Sequence, residues 1–371
     1  MFPTPQPIKV REFTRLPERF RQLRRSAWGD SHRGGATAHS FLEGPSFDRA
    51  GNLWLGDIPF GRVFRISPAG EWDCVAEYDG WPNGLKFHRD GRIFIADYRR
   101  GIMLLDPATG AVTPLVDSWR SEGFKGCNDL HFAADGTLFF TDQGMTGRQD
   151  PSGRVFRRDA EGRLSCLLTG VPSPNGLVLD LAEANLYLAV TRANEVWRIP
   201  LLADGTTFKV GTFIQLSGGV GPDGLALDED GGIVVAQLGM TVWRCDRHGR
   251  PTHYLDVEPG GSLTNVAFGG PERRTLHVVD SANGAVLVAE MPFPGRTVFG
   301  LSCGARLAAR GELPHRAQQH VGAGEEVGGL GVFGGVVADA LHRGDEDHRR
   351  RAEARHHLRV VAGARGHAAR R

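Results

Sequence analysis

The sequence predicts an all-β fold, a six-bladed β-propeller with four antiparallel strands in each blade. Three observations lead to this prediction: one unit recurs six times, each unit opens on a polar side chain, and short apolar runs alternate with turns rich in Gly, Pro, Asn and Asp. The 371 residues include 51 glycines and are 40% hydrophobic, which suits many short strands and a sizeable core.

Each unit reads as a polar residue, a short strand, a turn and a second strand. The openings are EGPSFDRAGNLWLGD from Glu43, PNGLKFHRDGRIFIAD from Pro82, CNDLHFAADGTLFFTD from Cys127, PNGLVLDLAEANLYLAV from Pro174, PDGLALDEDGGIVVAQ from Pro222 and TNVAFGGPERRTLHVVD from Thr264. A third strand follows each opening, and a weaker fourth follows in most units. The polar openers, Glu43, Asn83, Asn128, Asn175, Asp223 and Asn265, lie 40 to 48 residues apart, which is the period of a propeller blade.

These repeats divide the chain into three parts. Residues 1–35 are predicted to be an extension whose arginine-rich stretch forms a short helix outside the propeller, and residues 36–295 form the propeller itself. The segment AHSFLEG around Phe41 is expected to close the ring by pairing in the sixth blade, which removes an exposed sheet edge. Residues 296–371 are rich in Arg, His, Ala and Gly, and we interpret them as a disordered tail or an alternative reading frame of a GC-rich gene.

Charge and cysteine content narrow the classes of function. A formal net charge of +1, from 44 basic and 43 acidic residues, favours a small-molecule partner over nucleic acid or a membrane. We find no signal peptide or membrane span in the sequence, so a cytoplasmic protein is expected. Five cysteines without a Cys-x-x-Cys pair indicate reduced core residues rather than disulfides or a zinc site.

The six openers are predicted to converge on the propeller axis, because the innermost strand of each blade lines the central channel. Their side chains are two carboxylates and four carboxamides, and such oxygen ligands suit calcium better than zinc, magnesium or manganese, which stay possible. The alternative is that each Asn-Gly or Asp-Gly pair only forms a turn. That alternative does not explain Glu43, which is a weak turn former at the same phase.

At these residues the sequence resembles the regucalcin/gluconolactonase family of six-bladed propellers, many of them metal-dependent lactonases. The matching motifs lie within residues 28–295: Glu43-Gly44-Pro45, Asn128-Asp129, Ser173-Pro174-Asn175-Gly176-Leu177 and Pro222-Asp223-Gly224-Leu225. The resemblance implies that Glu43, Asn175 and Asp223 bind a catalytic divalent cation and that Asn128 completes its shell or holds the substrate. Sugar-lactone members often carry an arginine where this chain has Gly126, which points to other lactones.

The resulting hypothesis is a metal-dependent hydrolase that opens a small-molecule lactone. A cation would polarise the lactone carbonyl, Asp223 would act as general base or only as a metal ligand, and Asn83 and Asn128 would bind substrate. Two alternatives stay open: an organophosphate or ester hydrolase on the same metal, and a non-catalytic propeller that binds calcium or a protein.

Other polar residues receive structural roles. His88 and His131 follow the openers by several residues and are expected to pack in the interior or in a turn. Acids that end second strands are expected to cap turns through backbone N–H groups; they are Asp57, Asp97, Asp142 and Asp280. The long loop at residues 144–154 is predicted to cover part of the site and to influence substrate choice.

Overall fold

The protein is described here by a computed structural model that covers residues 3–302. Within that range the fold is all-β, as predicted: 26 strands stand against a single α-helix, α1 (Ala27–His32), and four 3-10 turns. The 3-10 turns are Glu18–Phe20, Ile58–Phe60, Thr191–Ala193 and Phe299–Leu301. None of the helices in this part of the chain is long and apolar enough to cross a membrane.

The first strand, β1 (Gln6–Arg15), precedes the repeats. The first four repeats then form separate four-stranded antiparallel sheets in the order predicted. The first sheet holds β2 (Leu42–Phe47), β3 (Leu53–Asp57), β4 (Arg62–Ile66) and β5 (Trp72–Glu77), and the second holds β6 (Pro82–Phe87), β7 (Ile93–Asp97), β8 (Gly101–Leu105) and β9 (Val112–Val116). A small hairpin of β10 (Ser118–Trp119) and β11 (Glu122–Gly123) precedes the third sheet, which holds β12 (Cys127–Phe132), β13 (Leu138–Asp142), β14 (Gly153–Arg158) and β15 (Leu164–Val171). The fourth sheet holds β16 (Pro174–Leu179), β17 (Asn185–Val190), β18 (Glu195–Pro200) and β19 (Gly211–Gln215).

The fifth and sixth repeats share one eight-stranded sheet, so the prediction of six separate blades is not met; four repeats form separate blades. The strands are β20 (Gly221–Leu227), β21 (Ile233–Leu238), β22 (Val242–Cys245), β23 (Pro251–Asp256), β24 (Leu263–Gly269), β25 (Thr275–Asp280) and β26 (Ala285–Glu290). The reason is β1, which pairs in parallel with β23 through residues 6–9 and antiparallel with β26 through residues 10–15.

This pairing corrects two predictions about the N-terminal segment. Residues 6–15 are a sheet strand rather than part of an extension outside the propeller, and β1, not the segment AHSFLEG, closes the sheet. The helix predicted for the arginine-rich stretch at residues 15–26 is also wrong: that stretch holds the 3-10 turn Glu18–Phe20, and α1 begins after it at Ala27. The following Leu16 is fully buried, and Phe13 packs edge-on against His277 of β25. The segment around Phe41 instead leads directly into β2 of the first sheet.

Six hydrophobic clusters lie between consecutive repeats around the ring. The first and last repeats meet in one of them, where Leu42 and Phe64 pack with Val279 and Val286. This circular packing gives the propeller-like arrangement. It explains why the inner strands are almost wholly buried, since each strand carries apolar side chains toward the repeat on either side.

The predicted tail begins inside the described residues. Phe299 is buried against Phe132 with ring centroids 5.1 Å apart, and Arg296 Nη1 donates to the backbone carbonyls of Leu179 and Asp180 at 2.9 and 2.8 Å. Residues 296–302 are therefore packed on the sheets. Residues 303–371, which hold the rest of that prediction, lie outside the described residues.

Candidate functional site

The polar openers sit at a local irregularity of their strands. In each of the six innermost strands the pairing with the second strand shifts register within three residues of the opener, for example between Glu43 and Ser46 and between Pro222 and Leu225. A β-bulge of this kind bends the strand and re-aims side chains. Five openers accordingly line one cavity of about 550 Å³; they are Glu43, Asn83, Asn128, Asn175 and Asp223.

Buried acids at the ends of second strands hold the inner strands in position. The backbone N–H two residues before an opener donates to one of these carboxylates in four repeats: Phe41 to Asp57 at 2.8 Å, Trp81 to Asp97 at 2.8 Å, Gly126 to Asp142 at 2.9 Å and Ser262 to Asp280 at 2.9 Å. These acids accept backbone N–H groups as predicted, but from the start of the inner strand and not from the following turn; Asp97 in addition accepts from Arg99 and Arg100 of its own turn. Their effect is to fix where each opener enters the channel.

The same spacing corrects the opener of the sixth repeat. Leu263 pairs with Asp280 as Leu42 pairs with Asp57, so Thr264 and not Asn265 occupies the phase of Glu43. Thr264 is fully buried and bonds to the Ser281 hydroxyl. Asn265, one residue further on, donates from Nδ2 to Glu43 Oε2 at 3.1 Å, so it supports a site carboxylate without lining the cavity.

Glu43 and Asp223 are buried carboxylates without a cationic partner. Their exposed fractions are 4% and 8%, and neither forms an ion pair with any side chain in residues 3–302. Burial raises the pKa of Glu43 to about 7, although hydrogen bonds from Thr264 and Asn265 lower it. Burial, followed by the charges of Glu43 and Asp129, raises the pKa of Asp223 well above its usual range. Two acids that resist ionisation together would be relieved by a nearby cation.

The two amides near these acids are oriented by hydrogen bonds. Asn175 Nδ2 donates to Thr191 Oγ1 at 3.2 Å, and its Oδ1 is buried with no hydrogen-bond partner in the described part of the chain. Asn128 Nδ2 donates to Gln143 Oε1 at 2.9 Å, which leaves its carbonyl oxygen for another group. An unpaired buried carbonyl oxygen costs free energy, and a bound cation would remove that cost.

These donors fit a hard divalent cation. Two carboxylates would balance two positive charges, and the free Asn175 oxygen supplies a neutral ligand of the type that calcium accepts. Between residues 3 and 302 no cluster of three or more His, Cys, Asp or Glu side chains has metal-binding geometry, so such a site depends on the carboxamides as well. Glu43 and Asp223 alone would not form this cation site without the amide oxygens.

One wall of the cavity comes from residues that the sequence analysis did not assign. Trp28 and His32 of α1 line the cavity together with Phe41 and Tyr98. The His32 ring stacks on Trp28 at 5.6 Å between centroids and meets the edge of Tyr98 at 4.9 Å, and burial lowers its pKa. This aromatic wall is uncharged near neutral pH. No repeat motif marks α1, so only its single Trp hinted at a buried position.

The aromatic wall explains the glycine at position 126. Gly126 has a φ of 154°, and a Cβ atom there would lie 2.6 Å from the Tyr98 ring. Any larger side chain would therefore displace Tyr98. The arginine that the sequence analysis associated with sugar lactones has no room in this chain.

The loop at residues 144–154 contributes to the cavity, as expected. Its residues 144–149 line the cavity, and the Thr146 hydroxyl both donates to the Gln143 carbonyl at 2.6 Å and accepts from the Ser173 N–H at 3.1 Å. Ser173 has a φ of 66°, a strained value for a residue with a side chain. The loop thus fixes the turn that leads to Asn175.

The two histidines on inner strands lie away from this cavity. His88 packs against Phe94, Phe132 and Phe299, with centroids 5.0 to 5.6 Å apart, as a packing role predicts. His131 is buried, burial lowers its pKa, and it lines a separate cavity of about 60 Å³ further along the inner strands. Neither histidine reaches the site of Glu43 and Asp223.

Comparison with known proteins agrees with this arrangement. The sequence model of the SMP-30/gluconolactonase/LRE-like region matches residues 41–282. A gluconolactonase of Zymomonas mobilis is 29% identical over 275 residues, which cover 65% of this chain and 76% of that protein. Lactonase drp35 of Staphylococcus aureus strain USA300 is 31% identical over 212 residues, which cover 54% of this chain and 64% of the relative's length.

Two solved structures share the fold at lower identity. Regucalcin of Agrobacterium tumefaciens, described as a calcium-binding protein, superposes with a TM-score of 0.64 at 23% identity and covers 80% of this chain and 98% of its own. The gluconolactonase XC5397 of Xanthomonas campestris superposes with a TM-score of 0.61 at 22% identity and covers 73% of this chain and 95% of its own. At these identities the likeness concerns the fold.

Proposed function

The chain belongs to the SMP-30/gluconolactonase/LRE-like family, and on that premise we propose that it is a metal-dependent hydrolase that opens a lactone ring. One observation carries the proposal: two buried carboxylates without cationic partners and an unpaired buried carbonyl oxygen converge in one cavity. Relatives named gluconolactonase and lactonase support the reaction class. The proposed partner is a small molecule, the proposed location is the cytoplasm, and the eight-stranded sheet acts as two fused blades of a six-bladed ring.

We assign Glu43, Asn175 and Asp223 as the cation's ligands and Asn128 as the fourth. When bound, the cation would supply a Lewis acid that polarises the lactone carbonyl. Calcium is the proposed ion, because all four ligands are oxygens and because a structural neighbour is described as calcium-binding. Asn265 holds Glu43 through the 3.1 Å hydrogen bond to Oε2 and so fixes which oxygen faces the cavity.

Asp223 has two proposed roles, and its surroundings support general-base chemistry in addition to ligation. Its carboxylate lines the same cavity as the other proposed ligands, so a water held there would lie within its reach. It would take the proton of a water whose oxygen attacks the lactone carbonyl carbon. The ring C–O bond then breaks, the ring oxygen takes up a proton, and the product is a hydroxy acid.

Substrate contacts are proposed for Asn83 and, as the alternative to its role as fourth cation ligand, for Asn128. Both side chains line the cavity, and because the Asn128 amide nitrogen donates to Gln143, the Asn128 carbonyl oxygen is left to accept a hydrogen bond. Each offers hydrogen bonds that position a lactone against Asp223. Positioning of this kind contributes to rate by holding the reacting atoms close together.

A lactone panel with and without EDTA tests the proposal. We expect hydrolysis that EDTA abolishes and calcium restores, and Asp223→Asn should lower kcat by about 10²-fold or more. Asp256→Asn, which changes an exposed aspartate at the end of β23, is the matched control and should keep full activity. Full activity of Asp223→Asn would refute the assignment, and cleavage of esters or organophosphates with no lactone turnover would favour the alternative hydrolase.

A further inference from the structure

Two arginines stand on the wall of the cavity without carboxylate partners. Arg192 is exposed, and its guanidinium makes no hydrogen bond or ion pair with any residue from 3 to 302. Arg148, from the loop at residues 144–154, has one long contact, from Nη2 to the Ala193 carbonyl at 3.3 Å. That contact places Arg148 beside the residue that follows Arg192. Both arginines line the cavity, and Arg148 reaches it next to residues 192 and 193 of the fourth repeat.

Several arginines elsewhere in this fold form ion pairs with acidic side chains. Arg62, Arg154 and Arg244 each pair with a buried aspartate at 2.5 to 2.9 Å. The cavity-lining pair differs because neither arginine forms an ion pair with an acid in the described residues. Two guanidiniums of this kind are suited to a carboxylate or another planar anion, which they can bind through parallel hydrogen bonds.

Another part of the cavity lining is aromatic and would contact an uncharged part of a substrate. Trp28 and Tyr98 come from α1 and the second repeat, whereas Arg148 and Arg192 come from the third and fourth repeats. The cavity lining thus combines flat apolar surface with positive charge. Glu43 and Asp223 line the same cavity, where the ring carbonyl would be placed, so the arginines are left for a charged group outside the ring.

We propose that the substrate is a lactone that carries an anionic group, a carboxylate, outside the ring, and that Arg148 and Arg192 bind this group. This inference rests on the proposed lactonase function and names its substrate class. Ring opening adds a second carboxylate, which forms from the carbonyl carbon and a water oxygen beside Asp223, while the first stays on the arginines. The product is then a hydroxy dicarboxylate.

A matched pair of substrates separates this role from a general electrostatic one. The pair is γ-butyrolactone with a carboxylate on the ring carbon next to the ring oxygen, and the same lactone with a carboxamide there. We expect Arg192→Gln and Arg148→Gln each to lower kcat/KM for the carboxylate about tenfold or more, mainly through KM, and to change the carboxamide less than about twofold. Arg198→Gln, an exposed arginine of β18, is the control.

Equal losses for both substrates would overturn the proposal, because Arg192 would then act only through its charge on Asp223. Unchanged kinetics for both in the double variant would overturn it as well. Retention of the carboxylate preference in Arg192→Lys, at reduced size, would support it, since lysine keeps the charge and loses the fork of donors.

Binding of non-hydrolysable analogues distinguishes failure of this inference from failure of the lactonase proposal. Pyroglutamate and its carboxamide are the lactam counterparts of the two substrates, and calorimetry measures their binding. Tighter binding of pyroglutamate that both arginine variants remove supports the anion site even if no lactone is hydrolysed. Hydrolysis of both lactones together with equal, arginine-independent lactam binding would leave the lactonase standing and reject the anion site.

Discussion

Two groups of buried carboxylates in this protein differ in what surrounds them. Asp57 and Asp142, at the ends of second strands, each contact an arginine: Arg62 Nε lies 2.7 Å from Asp57 and Arg154 Nε lies 2.8 Å from Asp142. The carboxylates at the axis, Glu43 and the Asp223 of the fifth repeat, have no such partner in the described residues. Burial is similar in both groups, so the difference lies in the missing ion pair, which the more distant charge of Arg192 does not replace at Asp223.

This difference indicates what each group does. A buried ion pair with good geometry keeps its position and links strands, whereas unpaired buried acids destabilise a fold unless a ligand compensates them. Residues whose pKa is perturbed by burial and like charge cluster at functional sites. We therefore assign the axis group to the proposed ligand site and the arginine-paired group to the frame that positions it.

The largest expected effect is on activity at the axis. Glu43→Gln keeps the shape of the side chain and removes one of the two charges that hold the cation. We expect kcat/KM for the best lactone to fall at least about 10³-fold, roughly 4 kcal/mol. The free energy of unfolding measured in EDTA should stay equal or rise, because a buried, uncompensated charge is gone.

Glu77→Gln, an exposed glutamate on the outer strand β5, is the control for the Glu43 variant and should leave both quantities unchanged. If Glu43→Gln instead unfolded the protein in EDTA, Glu43 would belong with the structural acids. The comparison between the two groups would then fail.

The frame should respond in the opposite way. Arg154→Met leaves Asp142 buried and unpaired, so we expect the free energy of unfolding to drop by about 3 kcal/mol or more. Urea denaturation measures this, and kcat of the folded fraction should stay near wild type. Arg65→Met, which breaks the exposed pair with Asp73, should cost less than about 1 kcal/mol. A similar small cost for Arg154→Met would contradict the assigned role.

Calcium should raise the free energy of unfolding by binding the axis carboxylates, and the arginine-paired acids should not contribute to this gain. With free calcium at about 100 times its dissociation constant, the protein should gain about 2.7 kcal/mol of stability over the EDTA-treated protein. Thermal unfolding with increasing calcium measures the gain. Glu43→Gln should lose most of it, and Arg154→Met should retain it in full. An equal calcium effect in both variants would move the cation site away from Glu43.

The sequence was sufficient for the fold class and for five of the openers because both follow from a repeated local pattern. Every opener stands at the same bulge, so its phase survives differences in loop length. The opener predicted for the sixth repeat was wrong by one residue, because Thr264 and Asn265 are both polar. A one-residue shift reverses which side chain faces the channel. Only the pairing of Leu263 with Asp280 separates them.

Other parts of the structure depend on contacts between distant segments. Strand β1 lies roughly 250 residues from its partner β23 and roughly 270 to 280 from its partner β26, and nothing in its ten residues marks that pairing. The aromatic wall and the two cavity arginines come from α1 and the connections between strands, which the repeat does not describe. Among these segments the loop at residues 144–154, which carries Arg148, stood out in the sequence by its length, whereas α1 and Arg192 did not.

The smallest predicted effect concerns Asp97, a buried acid whose side-chain partner is an uncharged tyrosine and not an arginine. Asp97 ends a second strand like Asp142, but its side-chain partner is Tyr78, whose hydroxyl donates to Oδ2 at 2.7 Å. Three backbone N–H groups, from Trp81, Arg99 and Arg100, also donate to it at 2.8 to 2.9 Å. Burial nevertheless raises the pKa of Asp97.

Tyr78→Phe removes one of four hydrogen bonds to Asp97 and keeps the ring, so we expect a loss of about 1 to 2 kcal/mol in the free energy of unfolding. The loss should be smaller than in Arg154→Met because the backbone donors still compensate the charge. Urea denaturation of both variants under one condition measures the difference. A loss as large as that of Arg154→Met would mean that Tyr78 carries most of the compensation. Asp97 would then depend on one side chain, as Asp142 does on Arg154.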